Sequence, residues 1–85
     1  MIGRRSSLPI AIMLIDCSIG TDDVVIDGLK KIPAVAYAYK LIGCHDIIIK
    51  VESNSEEELR KTISGKIRKL DNILGIITMV VLEKQ

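Results

Sequence analysis

Apolar and polar positions follow two rhythms along this chain, and the changes of rhythm mark six elements. The run "LPIAIMLID" (residues 8–16) is apolar throughout and closes on an aspartate, the pattern of a central strand covered on both faces. "GTDDVVIDGLKKIP" (20–33) moves to helical spacing, with Val25, Leu29 and Ile32 as the inward stripe. Thr21 stands where a cap belongs, Asp22 and Asp23 suit the positive end of the helix dipole, and Lys30 and Lys31 suit the other end. Pro33 stops the helix, and Gly28 in its middle costs about 1 kcal/mol relative to alanine.

Period-two alternation then returns. "AVAYAYKLI" (34–42) sets Val35, Tyr37, Tyr39 and Leu41 against Ala36, Ala38, Lys40 and Ile42. After a turn, "DIIIKVE" (46–52) sets Ile47, Ile49 and Val51 against Ile48, Lys50 and Glu52. The clearest helix is "SNSEEELRKTISGKIRKL" (53–70). Ser55 and Glu58 form a capping box, Leu59, Ile63, Ile67 and Leu70 face inward, and Glu56–Arg60 and Glu57–Lys61 pair on the wet side. "DN" breaks it, and "ILGIITMVVLE" (73–83) is the last strand.

The order β-α-β, hairpin, β-α-β with right-handed crossovers predicts an α+β, ferredoxin-like βαββαβ fold. Its four-stranded antiparallel sheet has strand order 4-1-3-2, with both helices on one face. Residues 1–7 are expected as a flexible arm and 8–85 as a single domain. With both helices on one side, the other sheet face stays bare although its residues are apolar, so pairing of two copies through their sheets is expected.

Composition narrows the function. The chain has 85 residues, 48% hydrophobic, with two tyrosines and no tryptophan or phenylalanine, so the core is aliphatic. A net charge of +1 gives neither the basic groove that nucleic acid requires nor a polybasic membrane patch. No run approaches the roughly 20 apolar residues of a membrane span. The basic start ahead of Leu8–Ile15 is closed by Asp16 rather than by small residues, so it reads as an arm before a strand and not as an export signal. A cytoplasmic location with reduced thiols at Cys17 and Cys44 is expected.

The chemistry concentrates in "YKLIGCHDIIIK", where Gly43, Cys44, His45 and Asp46 lie between two apolar runs. The topology puts this hairpin on the same sheet edge as Asp16 and Cys17, so five side chains with ligand chemistry could gather there. Zinc is one reading, but Cys44 and His45 are neighbours that diverge on a turn, and no spacing matches a zinc site. A cysteine nucleophile needs a base and a group to orient it, which one adjacent histidine does not provide. No phosphate loop is present, and an enzyme is not expected. The simplest reading is a turn in which Gly43 takes a positive φ and Asp46 bonds turn amides.

A glycine, two variable residues and an aspartate, entering an aliphatic strand that ends Lys50-Val51-Glu52 and then a capped helix, resembles the Lrp/AsnC family. The likeness is to its effector-binding (RAM) domain. It runs from Pro9 to Glu83 and includes Thr78 before a run of aliphatics. The chain departs from the family pattern at His45, often tyrosine, at Asp71-Asn72, often Pro-Gly, and at Ile76, often threonine. The resemblance implies a stand-alone effector domain without the helix-turn-helix, making no direct contact with nucleic acid or membrane. It implies dimers assembled into rings, often octamers, and binding of a small amino acid or related metabolite, with no cofactor or metal. The ligand residues so implied are Ile42, Gly43, Cys44, His45, Asp46 and Thr78. Asp46 and the backbone near Gly43 and Cys44 would take the ammonium and carboxylate, and His45 would tune side-chain preference. Full-length regulators of the family are implied as further partners. A purely structural assembly module, or another ferredoxin-like metabolite or metal binder of the ACT kind, is the alternative.

Overall fold

The computed structural model describes residues 8–81. The expected arm at 1–7 and the end of the last strand at Leu82 and Glu83 lie outside the described residues. Four strands, β1 (Ile10–Cys17), β2 (Val35–Lys40), β3 (Ile47–Glu52) and β4 (Ile73–Val81), form one sheet in the order β2-β3-β1-β4, the expected arrangement read from its other edge. All neighbouring pairs are antiparallel. Helix α1 (Asp22–Lys30) links β1 to β2, and α2 (Glu56–Thr62), continued by a π-helical segment (Ile63–Ile67), links β3 to β4. The fold is ferredoxin-like, and the two described helices, separated by two strands, do not form a helix-turn-helix.

Alternation along β1 explains the layering. Ala11, Met13, Ile15 and Cys17 are buried, and the residues between them are only half-buried. The buried set joins Ile47, Ile49 and Val51 of β3, Val25, Ile26 and Leu29 of α1, and Leu59, Ile63 and Ile67 of the second helical segment in one aliphatic core. Both helices therefore cover the same face. On the other face Ile10, Ile12 and Leu14 of β1 stand opposite Val81, Met79 and Ile77 of β4, an apolar surface that no described helix covers. The expectation that β1 is buried on both sides is thus met on one side only among the described residues.

Several local readings need correction. Thr21 occupies the cap position of α1 but makes no side-chain cap bond; its Oγ1 donates instead to the Ser18 carbonyl at 2.6 Å. Ile26 joins the expected stripe of Val25, Leu29 and Ile32. The strand expected through Ile42 ends at Lys40, leaving Leu41 and Ile42 exposed. A register shift between Val35 and Tyr37 turns Val35 onto the core with Ala38, so Val35 does not share a face with Tyr37 and Tyr39. The tyrosines stand opposite Lys50 and Ile48 on the open face, with their rings stacked 5.1 Å apart.

Ser55 caps α2 as expected, accepting from the Glu58 amide at 3.1 Å. The α-helix expected to run on to Leu70 instead becomes π-helical at Ile63, where the Arg68 amide reaches the Ile63 carbonyl at 3.0 Å. Residues there are weak helix formers: Ser64 donates back to the Arg60 carbonyl at 2.9 Å and Gly65 follows it. Gly28 also gains a reason. A methyl at that position would lie 3.3 Å from Leu70 Cδ2, so the glycine lets the end of the second helical segment approach α1 closely.

Candidate functional site

The β1/β3 register fixes the edge where chemistry collects. Ile15 pairs with Ile47, so the next residues of β1, Asp16 and Cys17, lie against the start of β3 and the hairpin before it. One backbone bond closes the hairpin, the Leu41 amide donating to the Asp46 carbonyl at 2.8 Å, and another ties it to β1, the Asp46 amide donating to the Ile15 carbonyl at 3.1 Å. Gly43 has φ +136°, a conformation that side-chain-bearing residues rarely adopt. Ile42 is fully exposed, and Gly43 and Cys44 are exposed beside it.

Two side-chain bonds tie this loop to β1. Asp46 Oδ2 accepts from the Cys17 amide at 2.9 Å. The carboxylate thus bonds a strand amide across the sheet, where the turn reading expected amides of its own turn. His45 Nδ1 lies 3.1 Å from Asp16 Oδ1 and 3.3 Å from Asp16 Oδ2. A carboxylate only accepts, so Nδ1 of the uncharged ring carries the proton and Nε2 presents a lone pair. Both side chains are partly exposed, 28% for His45 and 38% for Asp16.

Burial pushes the Cys17 thiol up from its ordinary value; a hydrogen bond with Thr21 works against this, and the carboxylates of Asp46 and Asp22 add to it. Cys17 is therefore a protonated, buried thiol, and Cys44 is an exposed one. Near this edge, Lys40 bonds Asp23 Oδ1 at 2.6 Å and lies 3.9 Å from Asp22 Oδ2.

Of the residues that the sequence marked, Ile42, Gly43, Cys44, His45 and Asp46 form one loop. Thr78 stands apart. It pairs with Met13, three positions along β1 from Asp16, on the core side of β4, with Oγ1 buried and without a hydrogen-bond partner among the described residues. Asp16 was not among the marked ligand residues, yet it is the partner of His45; the shared sheet edge was the signal that pointed to it. Among the described residues, no three His, Cys, Asp or Glu side chains are disposed to hold a metal ion. No described helix is long and apolar enough to cross a membrane.

A groove of about 460 Å³ lies at the opposite edge, lined by Pro33, Ala34, Ser53, Asn54, Lys61 and Lys66 among others. Its Lys61 pairs with Glu57 at 3.7 Å.

Comparison with known proteins agrees with this architecture. The family model of the Lrp/AsnC ligand binding domain matches residues 10–85. The crystal structure of FFRP-DM1 superposes with a TM-score of 0.84 at 32% identity, covering 88% of this chain and all of that one. The hypothetical protein PHS023 from Pyrococcus horikoshii gives 0.85 at 31% identity, covering 91% of this chain and 93% of that one. The transcriptional regulator NMB0573 from Neisseria meningitidis, solved as an L-Met complex, gives 0.77 at 12% identity, a likeness of fold; 98% of this chain covers 61% of that one. No curated protein matches the sequence.

Proposed function

The chain belongs to the Lrp/AsnC ligand-binding domain family, and from that premise we propose that it is an amino-acid effector-binding and oligomerisation domain acting in transcription regulation in the cytoplasm. The anchoring of Asp46 carries this reading. Its amide and one carboxylate oxygen are committed to β1, which holds the loop in one shape, and Oδ1 has no partner among the described residues. That oxygen suits a ligand ammonium, and the exposed peptide groups of Ile42, Gly43 and Cys44 suit a ligand carboxylate. His45 faces the part of the effector that differs between amino acids. Thr78 enters only through its buried, unpartnered hydroxyl, a group that costs free energy until something completes it. The L-Met complex of NMB0573 supports an amino acid as the effector class.

The open sheet face supports assembly. Two copies bury their rows of Ile10, Ile12 and Leu14 against each other, and dimers join into rings; the same face serves for mixed oligomers with full-length regulators. That surface alone also suits a structural assembly module without a ligand. Thermal unfolding against each of the twenty amino acids at millimolar concentration separates the two readings. A ligand at 100 times its Kd adds about 2.7 kcal/mol of stability. A chemically coherent group of stabilising amino acids is expected; a stable oligomer that responds to none of them overturns effector binding and leaves the assembly module.

A further inference from the structure

We propose that Asp16 and His45 form a hydrogen-bond-accepting subsite that selects effectors whose side chains carry an N–H or O–H donor over aliphatic side chains of the same shape. This deepens the effector-binding reading and rests on it.

The argument starts from the tautomer. His45 Nδ1 lies within 3.3 Å of both oxygens of Asp16, so the uncharged ring donates from Nδ1 and keeps its lone pair on Nε2. A carboxylate bonded in this way also fixes the ring's orientation. Nε2 has no partner among the described residues, and the side chain is 28% exposed, so the lone pair is open to a ligand.

The surroundings leave room for one. Asp16 continues the open-face row of Ile10, Ile12 and Leu14, and its register partner on β4 is Gly75. The residue directly opposite therefore carries no side chain, and a methyl at Gly75 would lie 3.7 Å from Asp16 Oδ2, in ordinary contact. A register shift between Asp16 and Cys17 falls at the same point, a device that re-aims side chains beside functional sites. The pair also adjoins the loop of Ile42 to Asp46 that the proposed function assigns to the ammonium and carboxylate. An amino acid held there by its main-chain groups would set its side chain close to an oriented acceptor. A hydroxyl or carboxamide satisfies that acceptor, whereas a methyl displaces its water and leaves it unpaired.

Two measurements test this. The first needs no ligand. His45 is the chain's only histidine, so a long-range 15N–1H spectrum at pH 8.5 shows a single imidazole. Protonated Nδ1 and unprotonated Nε2 are expected. Asp16→Asn is expected to shift the ring toward the Nε2–H form; a wild-type ring already in that form overturns the proposal.

The second is calorimetric titration with pairs of matched shape, threonine against valine and asparagine against leucine. Wild-type protein is expected to prefer the donor-bearing member by about tenfold, a modest ratio for a partly exposed site. His45→Leu is expected to bring both pairs within about threefold while amino acids still bind, through the groups on the loop backbone and Asp46. Asp16→Asn is expected to lower the preference in step with its tautomer shift. Binding without preference overturns the subsite and leaves effector binding intact; binding of none of the four also overturns the subsite, while effector binding stands or falls by the unfolding series with all twenty amino acids. A divalent cation such as Zn²⁺ binding to His45 in place of any amino acid also overturns it.

Discussion

Asp46 Oδ2 accepts the backbone amide of Cys17 at 2.9 Å across 29 residues of sequence, and this bond fastens the hairpin to the end of β1. The carboxylate that the family resemblance assigns to a ligand is therefore also a structural group. One carboxylate oxygen is held on the strand, and the other has no partner among the described residues.

Replacing Asp46 separates those roles. Asp46→Ala leaves a part-buried amide unpaired and is expected to cost about 1–3 kcal/mol in chemical denaturation. Asp46→Asn keeps an acceptor oxygen for Cys17 and is expected to cost less than half as much, while removing the charge that a ligand ammonium requires. Equal losses for the two variants would show that the Cys17 bond contributes nothing.

Alkaline pH should weaken the fold through Cys17. Burial holds its thiol above the ordinary value of 9.0, with Thr21 opposing and Asp46 and Asp22 assisting. Above 9.0 the unfolded chain loses this proton first, so the native state binds more protons and stability falls as pH rises. Below that range the thiol is protonated in both states and contributes no slope. Lys40, raised by its hydrogen bond to Asp23, loses its contribution only above 10.5, through its own folded value. Cys17→Ala should flatten the stability profile between these limits, and Cys44→Ala should leave it unchanged.

Two backbone positions should respond in opposite ways. Asn72 has φ 73°, and its carbonyl accepts from the Ser18 amide at 2.8 Å, a bond that needs no side chain. Asn72→Gly is expected to change stability by less than about 0.5 kcal/mol, whereas Asn72→Val should lose about 1–2 kcal/mol. Gly43→Ala should also lose about 1–3 kcal/mol, although nothing lies within 4 Å of a methyl there, because φ +136° is strained for alanine. Denaturation midpoints check all three.

The open face should control assembly. Ile12 and Leu14 face Met79 and Ile77 across β1 and β4 with no described helix above them. Ile12→Glu or Leu14→Lys places a charge in that surface and is expected to yield monomers by light scattering, with the circular dichroism of the fold retained. An unchanged particle mass would show that copies meet elsewhere.

The topology was legible because each change of hydrophobic period coincides with a turn residue. Gly20, Pro33, Gly43 and Asn72 mark the connections between elements whose type the spacing reveals. The register shift at Val35 was not legible, because alternation in "VAYAYK" is equally regular with or without an extra residue. Nor was the π-helical segment, since four-residue spacing from Leu59 to Ile67 suits either helix and the difference lies in which carbonyl Arg68 reaches. At the candidate site, sequence order placed Asp16 and the hairpin on one edge. Pairing of His45 with Asp16, and of Asp46 with the Cys17 amide, depends on side-chain directions at the end of β1 that no periodicity encodes.

The stacked tyrosines have a practical consequence. Tyr37 and Tyr39 are the chain's only aromatic residues apart from the imidazole, and both sit on the open face of β2. Every photon the protein emits near 300 nm, and all its aromatic circular dichroism, therefore originates from that one surface. The molecule carries its own optical reporter there, silent toward the aliphatic core and ready to be read without a label.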